Sequence, residues 1–156
     1  MCKASLEKKL LEGRERLVCE DCGWIHYRNP LPVVSCLVLN KRGDILLIKR
    51  GIEPYKGHWA LPGGFIEWNE TIPDAGCREL FEETGVRGVP RDVVGVRVHE
   101  SQMYGSILTI GMNFSIDSEA LRPGDDAEDA KFFPKEKMPE IPITSQKDLI
   151  SIFLSK

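Results

Sequence analysis

Three glutamates, Glu79, Glu82 and Glu83, stand three and four residues apart. On a helix that turns about 100° per residue they fall inside one arc of about 100°, so their carboxylates converge on a single stripe. Cys77, Leu80, Phe81 and Thr84 fall on the opposite stripe, the side expected to pack on a sheet. A solvated acidic face is the plain alternative. Two features weigh against it. Like charges at these spacings repel by roughly 0.2–0.5 kcal/mol per pair, and acids near a helix C-terminus also oppose the macrodipole. A hard divalent cation removes both penalties. With all-oxygen donors and no histidine nearby, Mg²⁺ or Mn²⁺ is favoured over Zn²⁺.

Cysteine supplies the second cluster. The chain has five, Cys2, Cys19, Cys22, Cys36 and Cys77, an odd number that suits metal or core roles better than a disulfide framework. Cys19-Glu20-Asp21-Cys22 is a C-x2-C knuckle. Cys36 and Cys77 lie on an apolar strand and an apolar helix face and are assigned to the core.

These groups must be held by one ordinary domain. The chain has 156 residues, 42% of them hydrophobic, with 21 Lys+Arg against 24 Asp+Glu and a net charge of −3; that balance excludes a basic nucleic-acid face. No apolar run approaches the roughly 18 residues of a membrane span, nor does the start read as a signal peptide, so neither membrane nor nucleic acid is expected as a partner and a cytoplasmic location is the default. The pattern divides near Pro30 and Pro32, giving an appendage over 1–30 and a main domain over 31–156. In the latter, Val33–Leu39 and Ile45–Ile48 read as a hairpin around Lys41–Asp44. A polar loop over 49–57 follows. Thr71 opens a helix, with Asp74 as its capping-box partner, Pro73 in the first turn and Gly85 as its stop. Strands are expected over Val93–Glu100, Ile107–Ile116 and Ala130–Phe133, an acidic loop over Asp117–Asp129, and a closing helix over Ser145–Leu154. Such a mixture predicts an α+β or α/β/α layered fold.

Gly64, five residues, Glu70, seven residues, then Arg78-Glu79-Leu80-Phe81-Glu82-Glu83-Thr84-Gly85-Val86 meets every fixed position of the Nudix box, G-x5-E-x7-R-E-U-x-E-E-x-G-U with U aliphatic. A chance match in one window is on the order of one in a billion. The chain therefore resembles the Nudix hydrolases, and Gly57-His58-Trp59-Ala60-Leu61-Pro62-Gly63 looks like that superfamily's approach to the box. The resemblance implies an α/β/α sandwich around a mixed β-sheet. It also implies Mg²⁺-dependent hydrolysis of a nucleoside diphosphate linked to another group, X. Glu79, Glu82 and Glu83 would be the catalytic metal ligands, with a backbone carbonyl at Gly63–Gly64, assigned to Gly64, facing the metal where no Cβ intrudes. Arg78 and Glu70 are expected to pair and orient the loop on the helix, and Gly85 to end the helix in a left-handed conformation. Gly76 departs from the alanine often seen there, costing about 0.5–1 kcal/mol in helix propensity.

Some similar enzymes place the general base outside the box. Asp125, Asp126, Glu128 and Asp129 are candidates, Glu128 foremost, with Glu67 as another candidate for base or metal; solvated acids are the alternative at each. The segment Cys19–Pro30 looks like the second half of the zinc ribbon ahead of the Nudix domain in NADH pyrophosphatase-like and ADP-ribose pyrophosphatase-like branches. A full ribbon needs four ligands. Three readings stand open: a ribbon without metal, Zn²⁺ on Cys2, Cys19 and Cys22 with His26 or water as fourth ligand, or a start that clips one cysteine. The Ser-Gln-Pro-Trp-Pro-Phe-Pro stretch of the NADH-cleaving branch is reduced here to Ser101-Gln102, so ADP-ribose or a related dinucleotide is the expected substrate. Arg50 would meet phosphate or ribose, and Tyr55, Trp59 and Tyr104 would stack on a base; simple packing is the alternative for each. A house-cleaning nucleoside triphosphate pyrophosphohydrolase and a non-catalytic nucleotide-sensing module are the competing functions. Dimerisation is common among similar proteins, which makes a homodimer an expected arrangement.

Overall fold

The computed structural model describes residues 2–155. The first thirty residues hold a small sheet of their own. β1 (Leu6–Leu11) and β2 (Arg14–Cys19) form an antiparallel hairpin, and β3 (Ile25–His26) adds to β2. Its turn places Glu12 and Gly13 at φ 51° and 75°, the doubly left-handed geometry that matches the twist of the flanking strands.

The expected Val33–Leu39 and Ile45–Ile48 hairpin is corrected by the structure. β4 (Leu31–Val38) and β5 (Ile45–Arg50) share only a single bridge, Leu39 to Ile45, beside their turn. Beyond it they diverge into separate sheets. β4 pairs in parallel with β8 (Gly105–Ile116), which pairs antiparallel with β7 (Gly88–Ser101). β5 lies antiparallel between β6 (Trp59–Ala60) and β9 (Ala127–Phe133). The physical reason is partner choice: the ladder positions of β4 are taken by β8 on one side and by Pro62–Ile66 on the other.

Alternation along β4 serves two cores. Val34, Cys36 and Val38 pack with Leu46, Met112, Phe114 and Leu80 under α1 (Ile72–Thr84). Leu37 packs with Ile45, Leu47, Leu61, Leu149 and Ile150 under α2 (Thr144–Leu154). Strands between two helix layers give the expected α/β/α architecture. β7 begins at Gly88, earlier than its apolar pattern suggested, because irregularities at Pro90–Gly95 break the two-residue period. Likewise β9 takes in Ala127–Asp129, read as loop from its charges. Among the described residues, no helix is long and apolar enough to cross a membrane.

Gly76 has a packing reason. A Cβ there would lie 2.3 Å from Phe114 Cζ, so the glycine lets α1 settle on the sheet. Phe81 departs from the helical-wheel expectation. It is 47% exposed, with the Arg87 guanidinium 5.4 Å from its ring, while Glu83 on the acidic stripe is buried.

Candidate active site

The glutamates sit on a helix fixed at both ends. Thr71 caps α1, its hydroxyl oxygen accepting the Asp74 N–H at 3.3 Å, and Gly85 closes it at φ 72° with its N–H on the Phe81 carbonyl. The last carbonyls find partners in a distant loop: Thr84 O accepts from the Arg122 N–H and Glu83 O from the Gly124 N–H. Asp126 O in turn accepts the Gly51 N–H at 2.7 Å. Asp125 and Asp126 are thereby pinned between the end of α1 and the end of β5. A Cβ at Gly124 would stand 2.9 Å from Glu82 O, so the close approach needs glycine.

At the start of the box, Gly63 lies at φ 146°, where a Cβ would collide with Val34 O at 2.1 Å. Its N–H donates to Glu83 Oε2 at 2.8 Å. A Cβ on Gly64 would lie 2.3 Å from Glu79 Oε1, so the loop passes directly over the helix carboxylates. The Gly64 carbonyl accepts the Val34 N–H at 2.9 Å. One lone pair of that carbonyl thus serves the β4 ladder, and the missing side chain leaves room for the Glu79 carboxylate.

Arg78 ties these parts together. Its Nε and Nη2 grip the two oxygens of Glu70 at 2.8 and 2.9 Å, Nη2 also donates to Phe65 O, and Nη1 reaches Glu79 at 2.7 Å and Glu82 at 3.1 Å. Hydrogen bonding from Arg78 holds Glu70 below its ordinary range. The same contacts, Glu70 first, hold Arg78 well above its own. Burial raises Glu79, against the pull of Arg78. Glu83 is pushed up to about 8, chiefly by burial, with the Gly63 N–H opposing and the Glu79 charge adding to the rise.

The Arg78 guanidinium thus meets three carboxylates, Glu70, Glu79 and Glu82, while the fourth, Glu83, rests on the Gly63 N–H. The excess negative charge, the all-oxygen donor set and the cradle left by Gly64 fit a hard divalent cation, which Glu79, Glu82 and Glu83 could hold.

A cleft of about 820 Å³ opens where β4 and β5 splay apart. Glu79, Glu82 and Glu83 line it together with Arg50, Tyr55, Glu67, Tyr104, Asp125 and Asp126. Arg50 Nε donates to Pro54 O at 2.7 Å, and its charge is felt at Glu83. Tyr104 stands edge-on to Phe65 at 5.1 Å. Trp59 does not join this group. Its ring packs edge-on to Phe133 at 4.7 Å, under Lys131, because β6 pairs with β5 on the far side of the split. Glu128 also stands outside, against Lys49 at 3.6 Å, and Asp129 pairs with Lys131 at 2.5 Å. This part of the expected loop is β9, and Glu128 is the extra residue where the ladder shifts register between the Lys49–Asp129 and Arg50–Ala127 pairs. His99 lines the cleft as well; in sequence it is one residue in an ordinary strand and carries no signal.

At the other end of the chain, the sulfurs of Cys2, Cys19 and Cys22 lie within 4.8 Å of one another, Cys2 being 3.3 Å from Cys19 and 3.4 Å from Cys22. The knuckle bends through Gly23 at φ 71°, whose N–H donates to Cys19 O. Three thiols at this spacing are a zinc-type donor set. Among the described residues His26 lies outside that group, with its ring 5.7 Å from that of Trp24.

Residues 29–151 match the NUDIX domain family, and residues 1–28 match the zinc-ribbon family described as Nudix N-terminal. The chain is 36% identical over 122 residues to the ADP-ribose pyrophosphatase of Methanocaldococcus jannaschii, covering 78% of this chain and 72% of that protein. It is 27% identical over 149 residues to the NAD-capped RNA hydrolase NudC of Pseudomonas aeruginosa, covering 93% of this chain but only 52% of that one. A NUDIX hydrolase from Nitrosomonas europaea superposes with a TM-score of 0.82 at 27% identity, over 99% of this chain and 88% of the other. With the box folded as a loop laid over three helix carboxylates, and the family matched across 29–151, the chain belongs to the NUDIX hydrolases, enzymes acting on pyrophosphate bonds.

Proposed function

We propose that this protein hydrolyses the diphosphate of a nucleoside diphosphate linked to X, with ADP-ribose or a related dinucleotide as substrate and Mg²⁺ or Mn²⁺ as cofactor. One observation carries the reading: the carboxylates of Glu79, Glu82 and Glu83 stand in a cleft of about 820 Å³ that also holds Arg50, Tyr55 and Tyr104, a volume and mixture of linings suited to a nucleotide. The likeness to the archaeal ADP-ribose pyrophosphatase supports the substrate class.

Each group then has a role. A bound divalent cation would neutralise the diphosphate, polarise phosphorus and lower the pKa of water. Glu79, Glu82 and Glu83 would hold it, and Arg78 with Glu70 keeps the loop and helix in register for them. Asp125 and Asp126, which face the cleft, replace Glu128 as candidates to take the proton of the attacking water, and Glu67 remains a third. Arg50 offsets phosphate charge, and Tyr55 and Tyr104 flank the nucleoside. Zn²⁺ on Cys2, Cys19 and Cys22 is proposed as a structural ion.

The test is a panel of ADP-ribose, NADH, sugar nucleotides and nucleoside triphosphates, each with Mg²⁺ or Mn²⁺. AMP and ribose 5-phosphate released from ADP-ribose is the expected outcome. Turnover confined to triphosphates would move the assignment to the house-cleaning class. Binding with no turnover of any would make the protein a sensing module.

A further inference from the structure

We propose that Gln146 is a positioning residue of this enzyme: from the first turn of α2 it holds the entrance to the box loop so that the Gly63 N–H meets Glu83, and through that contact it sets the affinity of the cluster for its divalent cation. The inference rests on the reading of Glu83 as a metal ligand and goes beyond it. Gln146 stands in the i, i+3, i+4, i+7 stripe that Leu149, Ile150 and Phe153 otherwise make apolar. It is 7% exposed. Burying an amide on that face is unfavourable unless both of its ends are paired, since an unpaired end forfeits its hydration without return.

Both ends are paired, and to different parts of the chain. Gln146 Oε1 accepts the Leu61 N–H at 2.9 Å, and Nε2 donates to Ser35 Oγ on β4 at 3.3 Å. A backbone N–H can only donate, so Leu61 fixes which end of the amide is the oxygen. Leu61 follows β6 directly and is buried. Without Gln146 its N–H would be a buried donor left unpaired.

The run from Leu61 to Gly64 carries that bond to the carboxylates. The carbonyls of Pro62 and Gly64 accept the Cys36 and Val34 N–H groups of β4 at 2.7 and 2.9 Å. The N–H groups of Leu61 and Gly63 are instead taken by side chains, Gln146 from α2 at 2.9 Å and Glu83 from α1 at 2.8 Å. Helices from opposite layers thus hold one short segment by alternate N–H groups. Pro62, between them, has a fixed φ and no N–H of its own, so little slack separates the two bonds. Gly63 itself lies at φ 146°, a conformation its neighbours must maintain. If Leu61 drifts, the Gly63 N–H leaves Glu83 Oε2, and that carboxylate loses the bond that orients it, the usual way in which a residue behind a metal ligand acts on the metal.

The test compares three variants. Gln146→Met keeps the length and removes both bonds, Ser35→Ala takes away only the anchor of Nε2, and Ile152→Ala weakens the same helix where it packs beside Gly95 of β7. Thermal unfolding ranks their stabilities, electron paramagnetic resonance reads Mn²⁺ affinity, and NMR in chelator reads exchange of the Leu61 and Gly63 amide protons. We expect Gln146→Met to weaken Mn²⁺ about 10-fold and to speed exchange of both amides by about the same factor. Ser35→Ala should do each about 3-fold, and Ile152→Ala should leave both within about 2-fold whatever its loss of Tm. In a Glu83→Gln background, Gln146→Met should cost Mn²⁺ affinity less than about 2-fold more, because both act through one contact. Unchanged Gly63 exchange or Mn²⁺ affinity in Gln146→Met overturns the assignment, as does an equal loss in Ile152→Ala, which would make the effect one of stability alone. If Gln146→Met fails to fold, wild-type values in Ser35→Ala overturn it. Should the wild-type protein bind no Mn²⁺, the proposed function fails, and exchange at Gly63 still decides whether Gln146 holds the loop.

Discussion

The Glu83 carboxylate accepts the backbone N–H of Gly63 at 2.8 Å while only 3% of the residue is exposed, so the box loop is bonded to the most deeply buried acid of the stripe. Burial raises Glu83 to about 8, and the sign of its linkage follows. The folded state holds a proton that the unfolded state, titrating near 4.5, has already released, so stability falls as pH rises towards 8. His99, lowered by burial, acts oppositely but only below about pH 6.5. In chelator, the unfolding temperature should therefore decline between pH 6.5 and 8. Mg²⁺ or Mn²⁺ should abolish that decline, and Glu83→Gln should flatten it without metal. A flat profile for the wild-type protein in chelator would contradict the account.

Arg78 makes two bonds to Glu70 and one each to Glu79, Glu82 and Phe65 O. Lysine cannot reproduce that fork. Arg78→Lys should leave the fold intact and weaken Mn²⁺ binding and turnover about 10- to 100-fold, the usual loss for a group that orients metal ligands. Glu79→Gln, Glu82→Gln and Glu83→Gln should each lose at least as much. Manganese titration followed by electron paramagnetic resonance reads this directly, and undiminished affinity in Arg78→Lys would count against the positioning role.

The loop acids divide by orientation. Asp125 and Asp126 line the cleft, whereas Glu128 faces Lys49. Replacing the base should lower kcat by about 100-fold or more with metal affinity preserved. We expect this of Asp125→Asn or Asp126→Asn, and less than about a 2-fold change from Glu128→Gln. A large loss in Glu128→Gln alone would reverse the choice.

Gly76 reads in sequence as a weak point of the helix, but the structure makes it a contact. An alanine Cβ would meet the Phe114 ring at 2.3 Å. Gly76→Ala should accordingly destabilise the protein by about 1–3 kcal/mol, as overpacking does, instead of gaining the propensity difference. Denaturant unfolding decides the sign.

Cys2, Cys19 and Cys22 gather their sulfurs within 4.8 Å. Purified protein should carry about one zinc per chain, and Cys19→Ser should lose it together with thermal stability, while Cys36→Ser, buried in the main core, leaves zinc content unchanged. Zinc absent from the wild-type protein would remove the ligand assignment.

The box itself was legible in the residues, because its information is local. Thr71, Asp74 and Gly85 set the ends of α1, helical periodicity set the common stripe of Glu79, Glu82 and Glu83, and the spacing of Gly64, Glu70 and Arg78 set the loop. The layered α/β/α fold was legible too, in the mixture of strands with two well-spaced helices and in the resemblance carried by the box. What periodicity could not provide was any relation between segments distant in the chain. Sequence shows acids before Phe132 but not that Arg122 and Gly124 cap α1 and so carry Asp125 and Asp126 to the cleft. It shows two apolar runs around a turn but not that β4 and β5 part after one bridge and leave the cleft between them. It shows Trp59 beside the box but not the Phe133 ring that draws it away. Local sequence determined the chemistry on offer, and tertiary packing decided which groups face the substrate.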